Sequence, residues 1–173
     1  MGLFSKLFSK KTEEEKDLSF IKEIAGLITE NDENVMKHVH LCISNPTEYE
    51  CQYEMRGTEK NDPNFNWLCM IDELEEGGWL FSADYKSEPE DILWGLSQLK
   101  SYHLIEKYIP EIDLTKIDDA ETLAQEINLA VNDAFVCMIY IDSDSYELII
   151  VTHEVYEKIS AIAENNGHSI EIF

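Results

Sequence analysis

Arginine is all but missing from this chain: Arg56 stands alone among 173 residues. Lysine and arginine together number 13 against 36 aspartates and glutamates, so the net charge is −23. That shortage excludes a phosphate-gripping surface, because nucleic-acid affinity is built from Lys and Arg that displace counterions and fork onto phosphate. Nucleic acid is not expected as a ligand. Long apolar runs are missing as well. The longest, FVCMIYI at 135–141, falls far short of the ~20 residues that span a bilayer, and no secretory signal is visible. Cysteine is sparse: Cys42, Cys51, Cys69 and Cys137 lie far apart with no CxxC pair. Without a signal peptide they read as reduced, mostly buried thiols, and the expected location is the cytoplasm. No GxSxG, HExxH, Walker or GxGxxG pattern occurs.

What is present suits a folded domain. An apolar share of 44% with seven Gly and four Pro is neither disordered nor low-complexity. The length fits one ordinary domain able to bury its own core. Residues 1–16 form a leader in which Leu3, Phe4, Leu7 and Phe8 would share one helical face, with Lys6, Lys10 and Lys11 on the other. Two readings stand: a loose or docked terminal segment, which is favoured, and an interfacial anchor through residues 1–11. Lys6 breaks the myristoylation pattern.

From residue 17 to 173 the spacing predicts one α+β domain with a helical N-terminal half and a small sheet with flanking helices. Leu18, Ile21, Ala25 and Ile28 mark a first helix; Val35, Val39, Cys42 and Ile43 mark a second, ended by Asn45-Pro46. YECQYEM alternates like a strand but is assigned to helix, since nothing nearby offers a hairpin partner. Pro63–Glu76 is a helix with Trp67, Ile71 and Leu74 inward, closed by Gly77-Gly78. Trp79, Phe81, Ala83 and Tyr85 then alternate with Leu80, Ser82, Asp84 and Lys86, as along a strand. Ser87-x-x-Glu90 with Pro89 predicts a capping box opening a helix that buries Ile92, Leu96, Leu99 and His103. Residues 104–117 read as a connection, and Asp118-x-x-Glu121 as the cap of a helix carrying Leu123, Ile127 and Val131. FVCMIYI is a buried central strand, turned by Ser-Asp-Ser into the antiparallel YELIIVT. Thr152 caps a helix with Val155, Ile159 and Ile162, Gly167 ends it, and HSIEIF is a last strand open to edge pairing.

Chemistry is harder to place. His38-Val-His40-Leu-Cys42 would put three metal ligands on one strand face, but on the expected helix only positions 38 and 42 meet, and no metal is expected. Asp142-Ser-Asp144-Ser-Tyr146 resembles the start of a calcium loop. Glu147 and His153 occupy the positions where that loop needs Gly and Glu, so a self-bonded Asp/Ser turn is the preferred reading. Asp84, beside Lys86, can act as a base only where a cleft raises its pKa. Cys69 and Cys137 sit in apolar runs that make a thiol inert.

Trp67, then Ala83-Asp84-Tyr85-Lys86, then Asp142-Ser143-Asp144-Ser145-Tyr146 together resemble an uncharacterised bacterial domain-of-unknown-function family. That family has a Trp-led helix, a strand ending Asp-aromatic-Lys-acidic and a distal Asp/Ser turn into Tyr. Here Ser87 separates Lys86 from Glu88. The likeness covers about residues 65–173. It implies no activity and no ligand; it singles out Asp84 and Asp144 for testing.

The function expected from these features is an acidic protein-interaction module, immunity-like in style, that takes a basic protein partner and performs no catalysis. Its binding residues would be Asp84, Lys86, Trp79, Asp142, Asp144 and Tyr146; no catalytic residues, metal or cofactor are assigned. The alternative is a metal-dependent hydrolase in which Asp84, Asp142 and Asp144 converge with His153. A third reading, a membrane-peripheral factor, rests on residues 1–11.

Overall fold

The computed structural model describes residues 17–53 and 60–173. The expectations for the leader and for the end of YECQYEM therefore lie outside the described residues.

Three helices open the chain. Helix α1 (Ser19–Ile28) turns its apolar side inward through Phe20, Ile21, Ile24 and Ile28. Helix α2 (Glu33–Ser44) starts where the Asp32 carboxylate accepts from the backbone N–H of Asn34 and Val35, which satisfies donors that a helix start leaves unpaired. Helix α3 (Pro46–Gln52) follows at once, with Pro46 in its first turn and the Asn45 side chain capping it. The helical reading of YECQ thus holds over its described part.

Helix α4 (Phe65–Glu76) buries Trp67, Met70, Ile71 and Leu74 and is closed at Gly78, whose φ of 72° few residues other than glycine adopt. Strand β1 (Phe81–Asp84) is shorter than the alternation suggested. Trp79 lies before the strand and packs with Leu80 on one side of the sheet, while Phe81 and Ala83 pack on the other. The reason is the wide turn leaving α4, where Trp79 and Leu80 both return their N–H to the Leu74 carbonyl.

Helix α5 (Pro89–Ser97) begins at Glu88 with no side-chain cap; the expected Ser87 capping box is not made, and Pro89 alone marks the start. Ile92, Leu96 and Leu99 are buried as expected, whereas His103 is exposed beyond the helix end. Short 3-10 turns at Tyr102–Leu104, Glu106–Glu111 and Leu114–Lys116 make the connection. Helix α6 (Ala120–Ala130) is capped by Asp119 through Thr122, one residue later than expected.

Strands β2 (Ala134–Tyr140) and β3 (Ser145–Thr152) form the antiparallel hairpin. Thr152 caps helix α7 (His153–Asn165), and β4 (Ser169–Ile172) ends the domain. The sheet order is β1-β3-β2-β4, all antiparallel, with β4 at an edge. An α+β domain results.

Helices cover both faces. On one, α1, α4 and α7 bury Cys137, Ile139, Ile149, Val151 and Ile170. On the other, α5 and α6 bury Ala83, Ala134, Val136, Leu148 and Ile150. This double cover explains why β3 is apolar without alternation from Leu148 to Val151. It also leaves α5 close against β1: a Cβ on Gly95 would overlap the Phe81 ring. Gly95→Ala should therefore lower stability in urea unfolding by about 1–3 kcal/mol, as overpacking does, despite the gain of up to ~1 kcal/mol that alanine brings to a helix interior. An unchanged midpoint would show that the Phe81 ring yields freely.

Candidate functional site

Two places in the fold gather polar and aromatic side chains. The first lies at the hairpin end of the sheet. Alternation along β2 places Met138 and Tyr140 on the α5/α6 face, and Tyr146 on β3 joins them; Tyr85, just past β1, continues the row begun by Phe81 and Ala83. Helices α5 and α6 sit over the other end of this face. The hairpin end is left open, and Tyr85 and Tyr140 are each 49% exposed.

A cleft of about 260 Å³ runs there, lined by Tyr85, Met138, Tyr140 and Tyr146 with Ser143 and Asp144. Its turn is held firmly. Tyr85 donates its N–H to the Asp144 carbonyl at 3.3 Å. The Ser143 and Ser145 hydroxyls lie 2.7 Å apart, and Ser145 donates to Glu147 at 2.8 Å. Glu147 is fully buried and also receives the Ser82 hydroxyl from β1. Asp142 takes φ 57°, a left-handed turn conformation that aspartate tolerates, and accepts from the Tyr140 hydroxyl at 3.1 Å. The self-bonded turn expected at Asp142–Tyr146 is thus present. That bond and the Asp142 charge raise the Tyr140 pKa. The Asp144 side chain is exposed and makes no hydrogen bond or ion pair among the described residues.

Five of the six positions singled out in sequence come to this end. Asp84 pairs across from Ser145 and accepts from the Lys86 backbone N–H at 2.8 Å. Lys86 sets its Nζ 4.8 Å from the centre of the Tyr85 ring. Asp142, Asp144 and Tyr146 belong to the turn itself. Trp79 does not join them; it stands before the opposite end of β1. His153 is also remote, at the far end of the eight-residue β3, roughly 25 Å away by strand rise. Among the described residues no three of His, Cys, Asp and Glu are placed to hold a metal ion.

The second place was not read from sequence as a unit. Glu73, on α4, is buried and accepts from the Tyr49 hydroxyl at 2.5 Å, with His38 Nδ1 at 2.8 Å from its other oxygen. Burial, then the Glu73 bond, pushes the Tyr49 pKa up. His38 and Cys42 share the inner side of α2, and His40 is exposed, as the helical reading required. Cys42 donates to Asn66 at 3.3 Å. Beside this network a cleft of about 380 Å³ is lined by Asp32, Asn34, His38, Glu73, Glu76 and Lys100. Lys100 reaches Asp32 at 2.7 Å, and Trp79 donates its ring N–H to the same carboxylate at 3.4 Å. The sequence singled out His38, Cys42 and Trp79 separately, under other readings, and gave no signal that they meet; Glu73 lies 24 residues from Tyr49 and 35 from His38 along the chain. Trp67, the first residue of the family likeness, is buried and stacks on His168 at 4.0 Å, so it serves the core.

The Lys100 bond holds the Asp32 carboxyl down at about 2, against an ordinary 3.8. A carboxyl lowered by folding adds stability above its unfolded value and loses it as pH falls through the folded one. Lys100→Met should therefore destabilise the protein near neutral pH, and the deficit should shrink as pH falls from 3.8 towards 2. Urea midpoints measured across that window check this; a pH-independent deficit would contradict it.

A family model described as a domain of unknown function (DUF6630) matches residues 20–173. It therefore takes in the N-terminal helices as well as the region in which the sequence likeness was seen. No curated protein and no solved structure matches the chain.

Proposed function

The chain belongs to the DUF6630 family, and we propose that it is a protein-interaction domain whose open sheet end holds a basic segment of another protein. The observation that carries this reading is the pairing of two half-exposed tyrosines, Tyr85 and Tyr140, with the exposed carboxylate of Asp144 in one cleft, while Asp84 and Asp142, also exposed, stand beside it in the chain. Tyrosine and methionine are enriched where proteins bind one another, and Tyr often anchors the energy of such contacts. The rim charges would steer a cationic partner and speed its encounter, at a net charge of −23.

In an immunity-like form of the same role, the captured segment would belong to a basic enzyme that binding neutralises. Reduced Cys51 at the surface and buried Cys42, Cys69 and Cys137 fit a cytoplasmic setting. No described helix is long and apolar enough to cross a membrane. The docking role needs no nucleophile–base pair, and the hydrolase alternative draws no support from a His153 standing at the other end of β3.

Immobilised full-length chain should retain basic proteins at low salt and release them at high salt, since screening shortens the reach of exposed charges to about 10 Å at 0.1 M. A Tyr85→Ala, Tyr140→Ala double variant with an unchanged far-ultraviolet spectrum should lose most of that retention. Equal retention by the variant, or capture insensitive to salt, would overturn the assignment to this face.

A further inference from the structure

We infer that the group seated in the hairpin-end cleft is an arginine guanidinium of the partner. This deepens the docking reading above and rests on it. Four features of the cleft point to this group.

The first is aromatic surface that no other ring covers. Among the described residues the Tyr85 and Tyr140 rings contact no other aromatic ring, while Tyr146 meets Phe173 edge-on at 5.9 Å. A flat cation can stack on such faces. The second is that one of these rings already meets a cation, since the Lys86 Nζ lies over Tyr85. The third is an acceptor without a donor. The exposed Asp144 carboxylate lines the same cleft and has no hydrogen-bond or ion-pair partner among the described residues. A carboxylate can take two parallel N–H bonds from one guanidinium.

The fourth is the character of the remaining wall. Met138 offers a soft apolar surface for a methylene stem, and Ser143 and Ser145 add hydroxyl oxygens. A guanidinium brings five donors in a plane and is weakly hydrated; a lysine ammonium is compact and strongly hydrated, so it gives up more on entering. A quaternary ammonium would stack equally well but has no N–H for Asp144. The wall therefore selects a planar, donor-rich cation. The protein's own scarcity of arginine, with Arg56 alone in the chain, leaves this chemistry to the partner.

The test compares oligoarginine and oligolysine peptides of equal length and charge, titrated into full-length protein by calorimetry at fixed ionic strength. Oligoarginine should bind about tenfold tighter, the scale of a cation–π contact. Tyr85→Leu and Tyr140→Leu should each reduce that preference, and Asp144→Asn should weaken oligoarginine more than oligolysine. Ethylguanidinium alone should shift the ring resonances of Tyr85 and Tyr140. Equal affinity for the two peptides would overturn the guanidinium assignment and leave the docking face standing. An arginine preference that survives both tyrosine variants would overturn it too, by placing the preference elsewhere. Binding of neither peptide would overturn the docking reading itself.

Discussion

Strand β3 is the part on which everything else depends. It pairs with both β1 and β2, and helices pack on it from both faces, so its residues from Glu147 to Val151 are all buried. Four of those are apolar; the fifth is a carboxylate. Removing a carboxylate from water costs several kcal/mol in practice unless hydrogen bonds replace the lost solvation. Here Ser82 from the neighbouring strand and Ser145 from the same strand bring hydroxyls to Glu147. The charge thus ties β1 to β3, and through the bonded pair Ser143–Ser145 it reaches into the turn. A turn anchored in this way presents Asp144 and its tyrosine neighbours in a fixed arrangement, and fixed groups lose less entropy on binding.

A comparable device holds the helical half together. Glu73 on α4 meets Tyr49 from α3 and His38 from α2, so one buried carboxylate connects three helices. Short helices such as α3 gain little from propensity alone and need tertiary contacts to persist. Tyr49 supplies such contacts twice, through its hydroxyl and through its ring, which packs on Tyr53 and Phe65. The polar cleft and the open sheet end are therefore supported by separate networks. Trp79 belongs with the first through Asp32 and Lys100, not with the tyrosines of the second.

Much of this fold was legible because its signals are local. The inward stripes of α1, α2, α4 and α6, the β2–β3 hairpin, the Thr152 cap and the glycine at 167 each follow from residues within a turn of one another. The errors have local causes too. Ser87 and Asp118 are good capping types, yet the chain starts those helices one residue later: Asp119 supplies the cap that Asp118 was expected to give, and at Glu88 no side chain caps at all, Pro89 alone setting the start. His103 fitted the helical stripe until the helix stopped at Ser97. Of the candidate site, the Asp/Ser turn and the Asp84–Lys86 strand end were visible as motifs, and they do lie together. The opening beside them was not visible. It exists because α5 and α6 end their cover short of Tyr140, and no periodicity within one strand reports how far a helix from elsewhere will reach. The buried roles of Glu73 and Glu147 were hidden for the same reason, since Ser82 and Glu147 are separated by 65 positions.

The charge finally acquires a physical sense in this frame. An excess of carboxylates does not specify a fold, and at this magnitude its mutual repulsion works against the compact state. The protein meets that cost differently at different sites. Glu73 and Glu147 are taken inside and hydrogen-bonded, Asp32 is matched by Lys100, and Asp113 and Glu154 are paired with lysines along their own segments. With so few cations in the chain, many surface carboxylates have no such match. A partner bringing positive charge relieves repulsion in the folded form, and any ligand that binds the folded state preferentially stabilises it. Docking of a basic segment at the hairpin end would thus be favoured twice over, by the aromatic contact it makes and by the like-charge repulsion it removes.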